Sequence, residues 1–366
     1  MGDKKKIVLL SAFYEPFMSG AEQQPREIIK RLGNKYVITL IAARLEKKLP
    51  RREEHNNYTY IRVGIGHKAI DKILYPLLAA LAVRQIKPAI AHANMESYAG
   101  IALAWLKIFA PKVRRILTLQ SGNIDSSAQK KNLLIKLFWR SINFSPHSIT
   151  AISRYLADRS RKLGVVGEKI RIIPNGVDLS AIPPALKPVK NRVFFAGRLS
   201  WEKGAEYMIK AWPKVVKKIP NAKLIQVGNG GMKDEILKLA ADLGVKDSIK
   251  LKPTMPHSEY IKEFKQAEIM VCPSLAEGLG IAFIEAQACG TPVIGTNVGG
   301  ILDVIQNNEN GLLIEPKNSN AIADAIIRLL TDKELANRLR ERAFETVKRF
   351  DWENIIHKFD EIYQKA

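Results

Sequence analysis

From residue 6 to about residue 314 the chain alternates short apolar runs with amphipathic or polar stretches, and this alternation leaves few folds open. Lys6–Leu10, Tyr36–Ala42, Tyr60–Val63, Ala89–His92, Arg115–Gln120 and Ser148–Ser153 form a first series of strand-like runs. A second comprises Val193–Gly197, Lys223–Gly228, Ile249–Lys252, Glu268–Ser274, Pro292–Gly295 and Leu312–Ile314. Runs that stay apolar on both faces suit parallel sheets covered by helices on each side, because a sheet with one wet face would alternate apolar and polar residues. Two such series predict an α/β chain of two Rossmann-like units. The length agrees, since 366 residues exceed what one hydrophobic core usually organises.

Between the series, Ile173-Pro-Asn-Gly-Val-Asp-Leu-Ser-Ala-Ile-Pro-Pro-Ala-Leu-Lys-Pro188 is rich in proline and turn formers and reads as a linker. The expected division is an N-terminal domain over 1–175, a linker over 176–190 and a C-terminal domain over 191–349. Residues 350–366 follow with the apolar periodicity of a docking helix.

Composition narrows the class. Hydrophobic residues make up 46% and charged residues 26%, as in a globular enzyme. No apolar run approaches the ~20 residues that span a bilayer. Met1-Gly-Asp-Lys-Lys-Lys leads straight into a strand-like run rather than a secretory signal, so a cytoplasmic protein is expected. Cys272 and Cys289 are the only cysteines, and in that compartment they are expected as buried free thiols rather than a bridge.

The net charge of +22 is uneven. Residues 1–180 carry 31 Lys/Arg against 13 Asp/Glu, and the remainder carry 27 against 23. A general adaptation for solubility or heat would spread over both halves, so the N-terminal half is expected to meet something anionic: a membrane surface, a phosphorylated or acidic acceptor, or nucleic acid.

The most specific motif is Cys272-Pro-Ser-Leu-Ala-Glu277-Gly-Leu-Gly280-Ile-Ala-Phe-Ile-Glu285-Ala-Gln-Ala-Cys-Gly290-Thr-Pro-Val293. Ile269–Cys272 reads as a strand, Gly278 and Gly280 permit a tight turn, and 281–289 reads as a helix stopped by Gly290 and Pro292. A helix N-terminus with small residues beside it suits a phosphate. Carboxylates on either side suit the hydroxyls of a sugar, which donate hydrogen bonds to them. A nucleotide sugar combines both features.

With Gly290-Thr-Pro-Val-Ile-Gly, Asn297-Val-Gly-Gly-Ile301 and Asn310-Gly-Leu-Leu-Ile-Glu-Pro316 following at short intervals, the sequence resembles the retaining glycosyltransferases of family 4. Glu277 and Glu285 match the ends of that family's E-x7-E motif. The resemblance covers nearly the whole chain and is strongest from about Arg192 to Pro316. It implies the GT-B fold, two Rossmann-like domains facing each other across a donor and acceptor cleft, with the last helix crossing back onto the first domain. It also implies a nucleoside diphosphate sugar as donor, with UDP, GDP and ADP all open, and no cofactor.

Residue by residue, the resemblance implies the following roles. Arg198 and Lys203, in Gly197-Arg-Leu-x4-Lys-Gly204, grip the donor diphosphate and stabilise the charge of the leaving nucleotide. Gly228, Asn229 and Gly230 form a glycine loop beside the nucleobase, and Thr254, in Lys252-Pro-Thr-Met-Pro-His257, lies on another wall of that pocket. Glu285 takes the ribose hydroxyls, Gly278, Leu279 and Gly280 approach the phosphate, and Glu277 holds the transferred sugar. Phe13-Tyr-Glu-Pro-Phe-Met-Ser-Gly20-Ala-Glu-Gln23 resembles the loop that closes over the donor phosphates, with Ser19 where the family usually has the first of two glycines.

The acceptor side departs further from the family. Where many members carry a histidine after the strand at 115–120, this chain has Gln120, which hydrogen-bonds but cannot act as a general base. A front-face reaction remains open, in which the leaving phosphate accepts the acceptor's proton; no acid motif marks the nucleophile that double displacement requires. His92 ends another strand and either lines the acceptor cleft or is a hydrogen-bonded structural histidine. No Asp-x-Asp signature or His/Cys cluster at ligand spacing occurs, so a metal-independent enzyme is expected.

Residues 130–144, Lys-Lys-Asn-Leu-Leu-Ile-Lys-Leu-Phe-Trp-Arg-Ser-Ile-Asn-Phe, interleave cations with aromatic and aliphatic side chains, as an interfacial helix or a core helix with a wet cationic face does. The first reading implies a lipid-linked acceptor and a peripheral membrane enzyme. Other GT-B enzymes, such as an epimerase of sugar nucleotides, a phosphorylase or a sucrose-type synthase, stay open as alternatives. A nucleic-acid-binding protein is the reading from another class, although no helix-turn-helix, zinc or RNA-binding aromatic signature supports specific nucleic-acid recognition.

Overall fold

The computed structural model describes residues 4–18, 20–122, 141–182 and 186–366. The chain divides into two compact units, one made of Met1–Asn175 with Glu353–Ala366, the other of Gly176–Trp352. Each is built on its own sheet.

The strands of unit 1 are β1 (Lys6–Leu10), β2 (Val37–Ala43), β3 (Arg52–His55), β4 (Tyr58–Val63), β5 (Ile90–Asn94), β6 (Arg114–Leu119), β7 (Ser148–Ala151) and β8 (Ile170–Ile172), in the spatial order β3-β4-β2-β1-β5-β6-β7-β8. All neighbours run parallel except β3, which pairs antiparallel with β4 at the edge. The apolar pattern predicts an all-parallel sheet and misses β3 and β8, because Arg-Glu-Glu-His at an edge has no buried face to mark it and Ile170–Ile172 is a three-residue edge strand with only Ile170 buried. Val8, Leu10, Leu40, Ile41, Ala91, Ala93 and Leu117 are fully buried in the middle of the sheet.

Glu353–Ala366 packs on this unit. Asp360 accepts hydrogen bonds from Tyr36 Oη and Lys35 Nζ, both at 2.6 Å, and Lys5 Nζ donates to the Tyr363 carbonyl at 2.9 Å. Phe359 and Tyr363 are fully buried, which supplies the apolar side of the contact.

Unit 2 holds β9 (Arg192–Ala196), β10 (Lys223–Val227), β11 (Ile249–Lys252), β12 (Ile269–Cys272), β13 (Val293–Thr296) and β14 (Leu312–Ile314), in the order β11-β10-β9-β12-β13-β14. Every described neighbour pair is parallel. Val193, Phe194, Leu224, Ile269, Met270, Val271 and Ile294 are fully buried, the near-continuous apolar runs of strands covered on both faces.

Both sheets share one topological property. In unit 1 the strands run outward from β1 to β2, β4 and the edge strand β3 on one side, and from β5 through β8 on the other. In unit 2 they run outward from β9 and from β12. Loops leaving the carboxyl ends of adjacent strands at such a reversal diverge to opposite faces and leave a crevice where open α/β sheets bind ligands.

Candidate functional site

In unit 2 the reversal falls between β9 and β12, whose register pairs Phe195 with Val271. The loop after β9 carries Arg198 and Lys203, and the loop after β12 carries Glu277. Their side chains meet: Lys203 Nζ forms an ion pair with Glu277 Oε2, both partly buried. Burial opposes the ammonium's charge, but the Glu277 carboxylate and Cys272 hold its pKa above the ordinary lysine value. Ser274, fully buried, donates to the same Glu277 oxygen at 3.4 Å. Arg198 is exposed on the same loop.

Four successive loops pack main chain against main chain. A Cβ on Gly230 would lie 2.0 Å from the Leu199 carbonyl oxygen, one on Gly204 2.0 Å from that of Pro273, and one on Gly300 2.0 Å from that of Gly278. The loops after β9, β10, β12 and β13 therefore approach more closely than any side chain allows. Gln226, almost fully buried on β10, donates from Nε2 to the carbonyls of Gly197 at 2.7 Å and Gly228 at 3.3 Å, joining the first two.

Helix Ile281–Ala288 begins after Gly280, whose φ of 87° is left-handed and favours glycine. Its first turn is next to Gly278, Leu279 and Gly280, all buried. Glu285 lies one turn in, is 4% exposed, and accepts from His257 Nε2 at 2.7 Å. Asn229 and Thr254 lie exposed on the loops after β10 and β11.

The sequence signals Lys203, Glu277 and Glu285 but not how they pair. The ion pair joins positions 74 residues apart, Ser274 and His257 stand in the quoted motifs without an assigned role, and Gln226 is a single polar residue in an apolar strand. Both cysteines are free, Cys272 buried as expected and Cys289 only half-buried. Burial raises the Cys272 thiol pKa and pushes that of Cys289 up to about 12.

In unit 1 the reversal falls between β1 and β5, and the side chains joined there are mostly amides. Gln120 Nε2 donates to Asn94 Oδ1 and, at 3.2 Å, to the Ala21 carbonyl; Gln120 Oε1 accepts from Asn175 Nδ2 at 2.8 Å; Asn175 Oδ1 accepts from Gln24 Nε2 at 2.9 Å. Asn94 Nδ2 also donates to the Ala21 carbonyl at 3.0 Å. Four buried amides thus form a chain from the end of β5 to the first turn of helix Gln23–Leu32. Gly20, beside Ala21, is exposed.

Under this chain, Glu96 is fully buried, pairs with Arg159 and accepts from the Gln120 backbone N–H at 2.8 Å. His92 is 2% exposed, with Nδ1 2.6 Å from Tyr363 Oη and Nε2 2.7 Å from Thr118 Oγ1. Of its two readings, this geometry matches the hydrogen-bonded structural histidine. Burial brings its pKa down to about 3.

Residues 130–140, most of the basic segment singled out in the sequence, lie outside the described residues. Among the described residues, no group of three His, Cys, Asp or Glu side chains is placed to hold a metal ion, and no helix is long and apolar enough to cross a membrane.

Comparison with known proteins agrees with this architecture. Residues 18–181 match the model of glycosyltransferase family 4, and residues 182–346 match that of glycosyl transferases group 1. An uncharacterized glycosyltransferase of Methanocaldococcus jannaschii is 34% identical over 178 residues, 48% of this chain and 45% of that protein. A D-inositol 3-phosphate glycosyltransferase of Acidothermus cellulolyticus is 31% identical over 222 residues, covering 56% and 49%. The chain spans about half the length of these curated relatives.

Among solved structures, sucrose-phosphate synthase from Thermosynechococcus elongatus superposes with a TM-score of 0.86 at 22% identity over 99% of each chain. The Anabaena protein HepE in complex with UDP and glucose gives 0.79 at 20% over 99% of this chain and 100% of that one. These likenesses concern the fold, which is GT-B. With the two family models together spanning residues 18–346, the chain belongs to the family 4 glycosyltransferases, glycosyl transferases group 1.

Proposed function

We propose that the chain transfers a sugar from a nucleoside diphosphate sugar to a hydroxyl acceptor with retention of configuration. The observation that carries this reading is the Lys203–Glu277 pair at the β9/β12 reversal, enclosed by glycine loops and next to a helix N-terminus.

Lys203 and Arg198 supply cations for the diphosphate, and the amides of Gly278, Leu279 and Gly280 add donors for its oxygens. Glu277 accepts from hydroxyls of the transferred sugar and favours positive charge at its anomeric carbon, while Glu285 takes the ribose. Gly228, Asn229, Gly230 and Thr254 border the base. In a front-face step the acceptor oxygen bonds to the anomeric carbon as the bond to phosphate breaks on the same side, and the acceptor's proton passes to the leaving phosphate oxygen. Such a step asks the protein for positioning and charge stabilisation, and the residues assigned to it include no metal ligand set.

The structure of HepE was solved with UDP and glucose, which makes UDP sugars the first donors to test. The basic N-terminal half suits an anionic acceptor, lipid-linked in this reading, at a membrane surface. The test is to supply UDP, GDP and ADP sugars with and without hydroxyl acceptors. Acceptor-dependent release of nucleoside diphosphate is the expected result; isomerisation of the donor without acceptor would replace this reading with an epimerase.

A further inference from the structure

Two helices of unit 1, Lys68–Ile86 and Tyr98–Phe109, pack side by side. Their outward sides do not look like an ordinary wet surface. On the first, Ile70, Ile73 and Leu81 are 41%, 76% and 36% exposed, and with the half-buried Leu77 and exposed Arg84 they recur every three or four residues along one stripe. On the second, Trp105 and Ile108 are 39% and 68% exposed, with the Trp105 ring stacked on Phe109 at 5.7 Å. Isolated exposed apolar residues are normal, but here two helices packed side by side both carry them.

Within the stretch of chain that carries these helices, the exposed charge has one sign. From Gly64 to Gly122 the only acids are Asp71 and Glu96, and both are fully buried. Asp71 accepts from the backbone N–H groups of Ile65, Gly66 and His67 at 2.8, 2.7 and 2.9 Å, and Glu96 pairs with Arg159. Lys68, Arg84, Lys87, Lys107, Lys112 and Arg114 are exposed over the same stretch. The surface therefore combines bulky apolar side chains with cations that no exposed acid of its own stretch offsets.

We propose that the outward face of these two helices docks on an anionic lipid bilayer. Ile70, Ile73, Leu81, Trp105 and Ile108 enter the boundary between headgroups and acyl chains, and the surrounding lysines and arginines meet lipid phosphates. Charge complementarity selects this occupant: nucleic acid has no use for exposed isoleucines, and a second copy of the same face would oppose cation to cation. The docking face deepens the lipid-linked reading of the acceptor, but its test requires neither donor nor acceptor.

The experiment is co-sedimentation of the full chain with phosphatidylcholine vesicles, with and without phosphatidylserine, at low and high salt. The expected result is binding only to the anionic vesicles, reduced by salt. The variant I73S/W105A/I108S, which leaves the donor residues untouched, is expected to lower partitioning about tenfold or more while keeping the wild-type melting temperature and nucleotide-sugar binding. The proposal is overturned if the wild type does not sediment, or if the variant binds as well as the wild type. It is also overturned if the same substitutions instead dissolve a dimer or abolish oligonucleotide binding. A wild type that transfers sugar to a soluble acceptor yet ignores anionic vesicles would sink the docking face and leave the transferase reading intact.

Discussion

The two units share a strand arrangement and differ in what stands at its reversal. At β9/β12 a lysine and a glutamate pair across the crevice, with an exposed arginine beside them and a second glutamate one turn into a helix. At β1/β5 the corresponding place is closed by Asn94, Gln120, Asn175 and Gln24, amides that exchange hydrogen bonds and carry no charge. The topology provides the location, and the side chains decide its use. Charged groups that can exchange partners suit binding and transfer of an anionic donor, whereas an amide chain holds backbone segments in place at any pH.

The sharpest way to break this comparison is Glu277→Gln. It keeps the shape but removes the charge, and transfer is expected to fall about a hundredfold to a thousandfold, the scale of losing one transition-state contact, with nucleotide binding largely kept. Unchanged turnover would remove the charged reversal from the chemistry. Lys203→Ala comes next. Losing a charge-assisted contact to the diphosphate is expected to weaken nucleoside diphosphate affinity about tenfold to a hundredfold in calorimetry.

Smaller effects test the amide chain of unit 1. Gln120→Leu leaves Asn175 Nδ2 and Asn94 Oδ1 without the hydrogen bonds that Gln120 supplies, and should cost about 1–3 kcal/mol in denaturant unfolding of unit 1. An equal loss of nucleotide affinity with no loss of stability would show that this residue binds rather than supports.

His92 gives the gentlest test. Its folded pKa of about 3 lies below the ordinary ~6.5, so between these values the unfolded chain binds the extra proton. Stability is then full above about pH 6.5 and falls with decreasing pH, by at most about 1.4 kcal/mol per pH unit from this group. Stability curves of wild type and His92→Gln should differ in slope between about pH 3 and pH 6.5 and run parallel on either side of that window.

Much of the frame was legible because strands buried on both faces leave continuous apolar runs, as in Val193–Gly197 and Glu268–Ser274. β3 and β8 were not, since Arg52–His55 and Ile170–Ile172 lie at the two edges and bury little. The glutamates of the donor motif were legible because glycines, a strand and a helix start surround them in sequence. The amide chain was not: Gln24, Asn94, Gln120 and Asn175 stand alone in sequence, and only the parallel sheet order brings the ends of their segments together. For the same reason Lys203 and Glu277 read as two separate contacts to a donor before the fold placed each in the other's reach.

The most direct measurement of the central claim, that the β9/β12 reversal holds a nucleotide sugar, is a thermal-shift panel of UDP, GDP and ADP sugars on the wild type, Lys203→Ala and Glu285→Gln. A ligand that binds only the folded state raises the melting temperature according to its affinity. One donor class should raise the melting temperature of the wild type and lose most of that shift in both variants. A shift of the same size in all three proteins, or none with any nucleotide sugar, would contradict the claim.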